Sequence, residues 1–147
     1  MAKPEAWRLE AKNYPISMSV QTRFGDLDPL GHVNNVAMAG IFETARIHFH
    51  RLFGKHPADL GVRWLVAAVS LNYIEEAHFP YDVLVHSGIG RIGTTSWQLL
   101  SVAFQQGQCV ATCETVMVMK GSGASNGFDP AIRDIMERNL ARPPAHT

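Results

Sequence analysis

Apolar and polar residues alternate over residues 16–24, where the first regular pattern of the chain lies. The apolar or β-branched positions of this stretch are Ile16, Met18, Val20, Thr22 and Phe24. A period of two residues is typical of a strand with one buried face. We therefore predict a half-buried first strand here, preceded by a loose arm over residues 1–14.

The pattern changes over residues 36–54, where the first half of the stretch is apolar on nearly every side. This pattern predicts a long helix that is buried rather than lying on the surface. Asn34 or Asn35 is suited to cap its start, and Gly54 is suited to end it. A loop over residues 55–63 follows.

Beyond this loop the helical period disappears, and Val, Thr and aromatic residues dominate. We predict strands over residues 64–79, 82–92, 94–104 and 108–120, with Gln106-Gly107 as the clearest hairpin turn. We then predict a flexible linker over residues 121–130, a short helix over residues 130–140 and a disordered tail over residues 142–147. Asp129 is suited to cap the short helix, and Pro130 fits its first turn.

The order of these elements indicates an α+β fold, with a five-stranded antiparallel sheet and the long helix packed on one face. The chain has 147 residues and no repeat, so we expect a single domain over residues 1–147 with its core in residues 15–120. One helix covers a five-stranded sheet poorly, and unpaired sheet edges tend to associate. The pattern therefore predicts a dimer that pairs sheet edges or buries open faces.

Composition narrows the class of partner. Thirteen basic and thirteen acidic residues balance, so nothing favours nucleic acid or an anionic membrane in general, although a local basic patch stays open. No run reaches the ~18 apolar residues of a membrane span, and the first 15 residues lack a signal peptide's apolar core. Cys109 and Cys113 lie in one predicted strand, roughly 13 Å apart and too far to bridge. We expect reduced thiols and a cytoplasmic protein.

Two features of the sequence suggest a dinucleotide site and a metal site, and the surrounding pattern argues against both. Residues 88–93 read GIGRIG, but a strand pattern follows them, whereas a dinucleotide site needs a helix there. A bulged strand and a turn is the better interpretation. His48 and His50 lie two apart on the helix and do not face each other, so we expect these residues and His56 to be surface or half-buried side chains. We predict no metal and no cofactor.

Residues 26–35, DLDPLGHVNN, carry the candidate chemistry. They place Asp28, His32 and Asn35 in a turn that leads into the long helix. The start of a helix concentrates unpaired backbone N–H groups and partial positive charge. A carboxylate beside such donors suits reactions that build negative charge on a carbonyl oxygen. A plain helix cap is the alternative interpretation, because Asp, Asn and Pro are common at helix starts.

Glu43 is the second candidate carboxylate. It lies among apolar residues of the predicted helix, where a charge is expensive unless it is paired. It either forms an ion pair with Arg46 or another arginine, or faces a substrate cleft. Eight residues separate it from Asn35, which corresponds to roughly 12 Å along the helix axis.

The motif from Asp28 through His32 and Asn35, followed by Glu43 and Arg46, resembles that of hotdog-fold thioesterases of the 4-hydroxybenzoyl-CoA thioesterase type. The resemblance implies a curved antiparallel sheet around one long helix, and a homodimer joined edge to edge, often paired again into tetramers. It places active sites at the dimer interface. It implies that Asp28 is general base or nucleophile and that the backbone N–H of Asn35 polarises the thioester carbonyl.

The same resemblance bears on further residues. A second hotdog branch has its carboxylate at the position of Glu43. Plant acyl-carrier-protein thioesterases have Asp, Asn and His at alternating positions, and Leu30 replaces their middle residue here, while Asp28 and His32 are kept. The relatives contact coenzyme A in the region of residues 91–96. The corresponding positions of this chain are Arg91, Gly93, Thr95 and Ser96, although a plain solvent-facing turn is an equal alternative.

The resulting hypothesis is an acyl-CoA thioesterase without a metal or a bound cofactor. We expect His32 to fix the turn or to hydrogen-bond the substrate. We expect an apolar acyl pocket lined by Met38, Phe42 and residues of the 64–73 strand. A non-hydrolytic acyl-thioester binding protein, an acyl-carrier-protein thioesterase and a hotdog hydratase are the alternatives. The acyl group, the carrier, and the choice between dimer and tetramer stay open.

Overall fold

The computed structural model describes residues 3–54 and 63–143, and it contains one sheet and two α-helices in that part of the chain. The strands and helices are β1 (Ile16–Val20), α1 (Asn35–His50), β2 (Arg63–Tyr73), β3 (Val83–Ile92), β4 (Ser96–Gln105), β5 (Gln108–Lys120) and α2 (Pro130–Arg138). All neighbouring strands are antiparallel, in the spatial order β1-β3-β4-β5-β2. This confirms the predicted α+β class and the hotdog arrangement of sheet and helix.

Helix α1 lies against one face of the sheet through a regular apolar stripe. Met38, Ile41, Phe42, Ala45 and Phe49 are all buried, with the three- and four-residue spacing of one helix face. The opposite face is open, since Val36 and Ile47 are 82% and 57% exposed in the single chain. In the single chain the predicted burial of this helix therefore holds for the face that meets the sheet and not for the opposite face.

The core beneath α1 divides into two clusters at opposite ends of the sheet. One cluster joins the first half of α1 to Val83, Val85, Ala103 and Ala111. The other cluster is aromatic and joins Phe49, Phe53 and Trp97 to Met117, Met119, Phe128, Ile132 and Met136. Phe128 stacks on Trp64 at 5.9 Å between ring centroids, so the stretch predicted as a flexible linker is packed at that position.

Several predicted boundaries need correction. β1 ends at Val20, because the chain then turns away from the sheet and leaves Phe24 75% exposed. β2 ends at Tyr73, six residues earlier than predicted. The hairpin turn is confirmed at Gln106-Gly107, where both residues have positive φ, 51° and 79°. Most of the predicted loop over residues 55–63, with His56, lies outside the described residues, and Arg63 already belongs to β2.

The two terminal segments cover the outer face of the sheet, opposite α1. Trp7 and the buried Tyr14 pack beside Leu100 and Val102, so the arm predicted as loose is packed from residue 7 onward. After α2 the chain continues along β3, where Ile89 N–H donates to the carbonyl of residue 139 and the Ile89 carbonyl accepts from the N–H of residue 141, both at 2.8 Å. The main-chain N–H of Arg142 donates to the carbonyl of Asn13, so the predicted tail begins as ordered chain.

The GIGRIG segment belongs to this packing and does not lead into a helix, as a dinucleotide site would require. It ends β3 with a bulge between Ile89 and Ile92, and β4 follows it, as the interpretation as a bulged strand predicts. A Cβ atom at Gly88 would lie 2.8 Å from atoms of both Pro15 and Ala141, so glycine is needed for the close approach of the terminal segments.

Both cysteines lie in β5, as predicted, and neither forms a disulfide. Burial raises the pKa of the Cys109 and Cys113 thiols, which keeps both protonated at neutral pH. Neither helix in the described ranges is long and apolar enough to cross a membrane.

Candidate active site

The turn before α1 is built around the carboxylate of Asp28. Its Oδ1 accepts hydrogen bonds from the main-chain N–H groups of Leu30, at 2.9 Å, and His32, at 3.1 Å. The main chain closes the same loop, because Asp28 N–H donates to the carbonyl of His32 at 2.8 Å. Gly31 has a φ of +83°, a conformation that glycine adopts without strain. The sequence therefore folds this turn around one fixed carboxylate.

The other motif carboxylate, Asp26, is structural. It is buried, and its side chain accepts from the main-chain N–H of Arg23 at 2.8 Å and from the Arg23 guanidinium at 3.1 Å. Its main-chain carbonyl accepts from Asn34 N–H at 2.8 Å. Asp26 thus ties the entry of the turn to its exit.

Helix α1 begins with two unused donors. Asn34 caps it, since its Oδ1 accepts from Ala37 N–H at 2.7 Å. The N–H groups of Asn35 and Val36 have no acceptor among the described residues. These donors carry the positive end of the helix dipole. The carbonyl of Asn35 is held from the side by the hydroxyl of Tyr73, which donates to it at 2.9 Å.

A pocket of about 340 Å³ opens beside this helix start. The turn and the helix contribute Asp28, His32, Val33, Asn35 and Met38, and the other wall consists of Tyr73, Ile74, Glu75, Glu76, Ala77 and Val110. Three of the predicted site residues, Asp28, His32 and Asn35, therefore lie in one cavity. Of the predicted acyl-pocket residues, Met38 and Tyr73, which ends the predicted 64–73 stretch, line this cavity, whereas Phe42 is part of the core.

His32 is engaged by the wall opposite the turn. Its Nε2 lies 3.1 Å from Oε2 of Glu76, and the same oxygen lies 4.0 Å from Nε2 of His78. The two imidazole rings meet edge to face at 5.4 Å between centroids. Within the described residues, no group of three His, Cys, Asp or Glu side chains is arranged to hold a metal ion.

Glu43 does not line this cavity. Its carboxylate is 68% exposed on the open face of α1 and lies 3.6 Å from the Arg46 guanidinium. Arg46 itself is buried against the sheet, 3.4 Å from the hydroxyl of Thr115. The sequence left two interpretations of Glu43, an ion pair with an arginine or a carboxylate that faces a substrate cleft. In the single chain Glu43 forms the ion pair, with Arg46.

The turn between β3 and β4 lies at the far end of the sheet. Gly93 N–H donates to Ser96 O, and the carbonyl of Thr95 accepts from Met119 N–H, both at 2.7 Å, while Arg91 is exposed. Arg133 of α2 steadies this turn by donating to Gly93 O at 2.9 Å. Along β4, Gln105 at the strand end near the pocket lies nine residues beyond Ser96, roughly 30 Å at about 3.3 Å per residue. Within one chain, the predicted coenzyme A residues of this turn and the pocket beside α1 therefore lie far apart.

Comparison with known proteins identifies the family. The profile of a thioesterase-like superfamily matches residues 22–139. The chain belongs to the thioesterase-like superfamily. Thioester hydrolysis is therefore its general class of activity. Among curated protein sequences, none matches the chain significantly.

Solved structures agree with this assignment. A thioesterase from Thermus thermophilus, described as complexed with coenzyme A and Zn, is 27% identical, with 90% of this chain and 99% of that chain covered and a TM-score of 0.78. The PA5185 protein from Pseudomonas aeruginosa strain PAO1 is 26% identical, with coverages of 89% and 95% and a TM-score of 0.77. A DHNA-CoA thioesterase from Staphylococcus aureus, 18% identical over 83% and 88% with a TM-score of 0.70, shares the fold.

Sequence reasoning placed residues of the 64–73 strand at the pocket, which includes Tyr73, but it missed Glu76. Glu76 fell inside a strand predicted to run to residue 79, where alternation assigns a face but not a contact with a distant turn. The pair Glu75-Glu76 was the available signal, because two adjacent carboxylates are unusual in the interior of a strand.

Proposed function

We propose that the protein is an acyl-CoA thioesterase that hydrolyses its substrate to a free acid and coenzyme A. One observation carries the proposal: Asp28 and Asn35, whose N–H is free at the start of α1, line the same pocket. A carboxylate and an adjacent pair of fixed donors are the parts that thioester hydrolysis requires. The coenzyme A bound by the Thermus relative supports the choice of carrier.

In the proposed reaction the thioester oxygen accepts from the N–H of Asn35. Negative charge grows on that oxygen as the carbonyl is attacked, and a fixed donor of this kind is commonly worth about 3 kcal/mol in the transition state. The N–H of Val36 is a second donor at the same helix end. Because neither has an acceptor in the described part of the chain, no hydrogen bond is broken when the substrate arrives.

Asp28 supplies the attack. Its Oδ1 is held by two N–H groups, whereas its Oδ2 has no hydrogen-bond partner in the residues described. As a general base, Oδ2 takes a proton from water whose oxygen bonds to the carbonyl carbon. The C–S bond then breaks, and the thiolate of coenzyme A takes up the proton. As a nucleophile, Oδ2 bonds to the carbonyl carbon and the C–S bond breaks to release the thiolate of coenzyme A. Water then hydrolyses the resulting anhydride to the free acid and the Asp28 carboxylate, and the proton released goes to the thiolate. Both routes consume one water and release one acid and one thiol.

A homodimer completes this proposal. β2 is one of the two edge strands of the sheet, and Leu65, Val66, Val69 and Tyr73 on it are 44–47% exposed. An exposed apolar edge strand is suited to pairing with a second copy. In such a dimer, Arg91, Gly93, Thr95 and Ser96 of one subunit bind coenzyme A whose thioester lies at the partner's pocket, and Glu43 faces the interface. Sedimentation analysis measures the assembly, including a pairing of dimers.

Unbridged cysteines support a cytoplasmic location.

The decisive variant is Asp28→Asn. Asparagine keeps an acceptor oxygen for Leu30 and His32, so the turn survives while the base or nucleophile is lost. We expect kcat for thiol release to fall by about 10²–10⁴-fold across a panel of short, long and aromatic acyl-CoAs. Asp134→Asn, on the exposed side of α2, is the matched control and should keep the wild-type rate.

Two results would overturn the assignment. Undiminished turnover in a folded Asp28→Asn protein would move the chemistry to another residue, with Glu43 tested next. Tight binding of acyl-CoA or acyl carrier protein by wild type, without release of thiol from either, would establish a binding protein. Single-turnover reaction in ¹⁸O-labelled water separates the base and nucleophile routes, since only the second places label in Asp28.

A further inference from the structure

The chain just after β2 runs along the Asp28 turn and contacts it at three points. The Tyr73 hydroxyl donates to the carbonyl of Asn35 at 2.9 Å. The carbonyl of Ala77 accepts from Val33 N–H at 2.8 Å. Between these two contacts, Glu76 reaches the imidazole of His32 at 3.1 Å. Two of the three contacts are made by the main chain of the turn, and only that of Glu76 reaches a side chain of the pocket.

The contact between Glu76 and His32 favours one position for the hydrogen on the imidazole ring. An ionised carboxylate only accepts hydrogen bonds, so at 3.1 Å it favours the tautomer that carries the hydrogen on the nearer ring nitrogen, Nε2. In the neutral ring the other nitrogen, Nδ1, is then the acceptor. It has no partner in the described part of the chain, and His32 lines the pocket. Water or substrate in the pocket therefore meets a ring with one defined acceptor.

His32 is in turn coupled to Asp28. Its main-chain N–H donates to Asp28 Oδ1 at 3.1 Å, and its carbonyl accepts from Asp28 N–H at 2.8 Å. A contact that holds the ring of His32 also restrains the residue that holds the carboxylate. We propose that Glu76 is a positioning residue for thioester hydrolysis, which acts on the pocket through the ring and main chain of His32. This inference rests on the proposed function.

Glu76 is not needed to hold its own segment in place. The buried side chain of Gln105 accepts from His78 N–H at 2.7 Å and donates to the carbonyls of His78, at 2.7 Å, and Tyr81, at 2.9 Å. The Glu76 carboxylate is 60% exposed, and exposed ion pairs add little to folding stability. Removing it should therefore change the rate of reaction and leave the melting temperature near that of wild type.

The test is a double-mutant cycle of Glu76→Ala and His32→Ala, measured as kcat and KM for thiol release. We expect Glu76→Ala to lower kcat about tenfold with KM within about twofold, because ground-state binding does not require it. Glu76→Gln should fall between, since its amide oxygen still accepts from His32. In the His32→Ala background, Glu76→Ala should cause no further loss. Glu137→Ala, on α2, serves as the control.

A readout that does not need turnover separates this inference from the proposed function. The ¹⁵N spectrum of the His32 ring, at a pH of about 8 where histidine is ordinarily neutral, should show the Nε2–H tautomer in wild type and a mixture in Glu76→Ala. If wild type releases no thiol, the proposed function fails and this spectrum alone decides the inference. An unchanged ring spectrum in Glu76→Ala, an unchanged kcat, or losses that multiply in the double variant would each overturn it.

Discussion

Two histidines at opposite ends of the sheet, His32 and His50, have different surroundings. His32 is 29% exposed, lines the pocket and contacts Glu76. His50 lies between Trp64 and Trp97, at 6.1 Å and 5.5 Å between ring centroids, and its buried Nε2 has no partner among the described residues. Burial, with a smaller contribution from the charge of Arg46, lowers the pKa of His50 to about 4. Polar groups at the helix start lie beside an accessible pocket, whereas those of the aromatic cluster are buried and have no partner in the described part of the chain.

The contrast indicates what each end contributes. The indole N–H groups of Trp64 and Trp97 are also buried without partners in the described ranges. With His50 Nε2, three polar groups of the aromatic cluster thus make no hydrogen bond there, while their rings are closely packed. The helix start keeps its free donors beside a cavity, where a substrate can use them. We expect substitutions in the aromatic cluster to change mainly stability, and substitutions at the helix start to change mainly rate.

The largest effect on stability should come from Trp97→Ala. Trp97 is 1% exposed, and truncating a buried aromatic side chain typically costs about 3–5 kcal/mol. Thermal and urea unfolding measure the loss. At a temperature where the variant is folded, kcat should stay within about threefold of wild type, because distant sites act independently. A kcat that falls as far as that of Asp28→Asn would break the proposed division between the two ends.

An intermediate effect should appear as pH dependence. His50 titrates at about 4 in the folded protein and near 6.5 when unfolded, so the unfolded chain binds the proton more readily. The contribution of His50 to the free energy of unfolding is therefore fully present above pH 6.5, and about 3 kcal/mol of it is lost as the pH drops towards 4. His50→Phe should flatten this part of a urea-unfolding series. If the slope persists, His86, whose pKa is also lowered by burial, becomes the source.

The smallest effect should come from the cap of α1. Asn34→Ala removes the acceptor for Ala37 N–H, and losing an N-cap typically costs about 1 kcal/mol of stability. Because the neighbouring N–H groups are the proposed oxyanion donors, kcat should fall together with stability. Asn34→Asp, which keeps the acceptor, is the matched control and should restore both. A loss of stability with no change in kcat would show that the N–H groups at the helix start do not act as oxyanion donors.

Where a residue has a local partner, the sequence predicted its place correctly. The Gln106-Gly107 turn, the bounds of β5, the Asp129 cap and the grouping of Asp28, His32 and Asn35 all depend on neighbours a few residues away. The failures involve distant contacts. Trp7 and Tyr14 cover strands about 90 residues further along the chain, and Glu76 reaches His32 across the pocket. Periodicity records the face on which a side chain lies, but it carries no information about the remote segment that the side chain meets.

The meeting of Asn13 and Arg142 on the outer face has a topological consequence. A main-chain hydrogen bond of 2.9 Å joins these two residues, so the start and the end of the packed chain are neighbours in space. A short peptide linking the two segments would span little distance, and the exposed Gln106-Gly107 turn offers a place to open the chain. The same architecture is therefore compatible with a permuted order of strands, in which β5 and α2 are synthesised before β1.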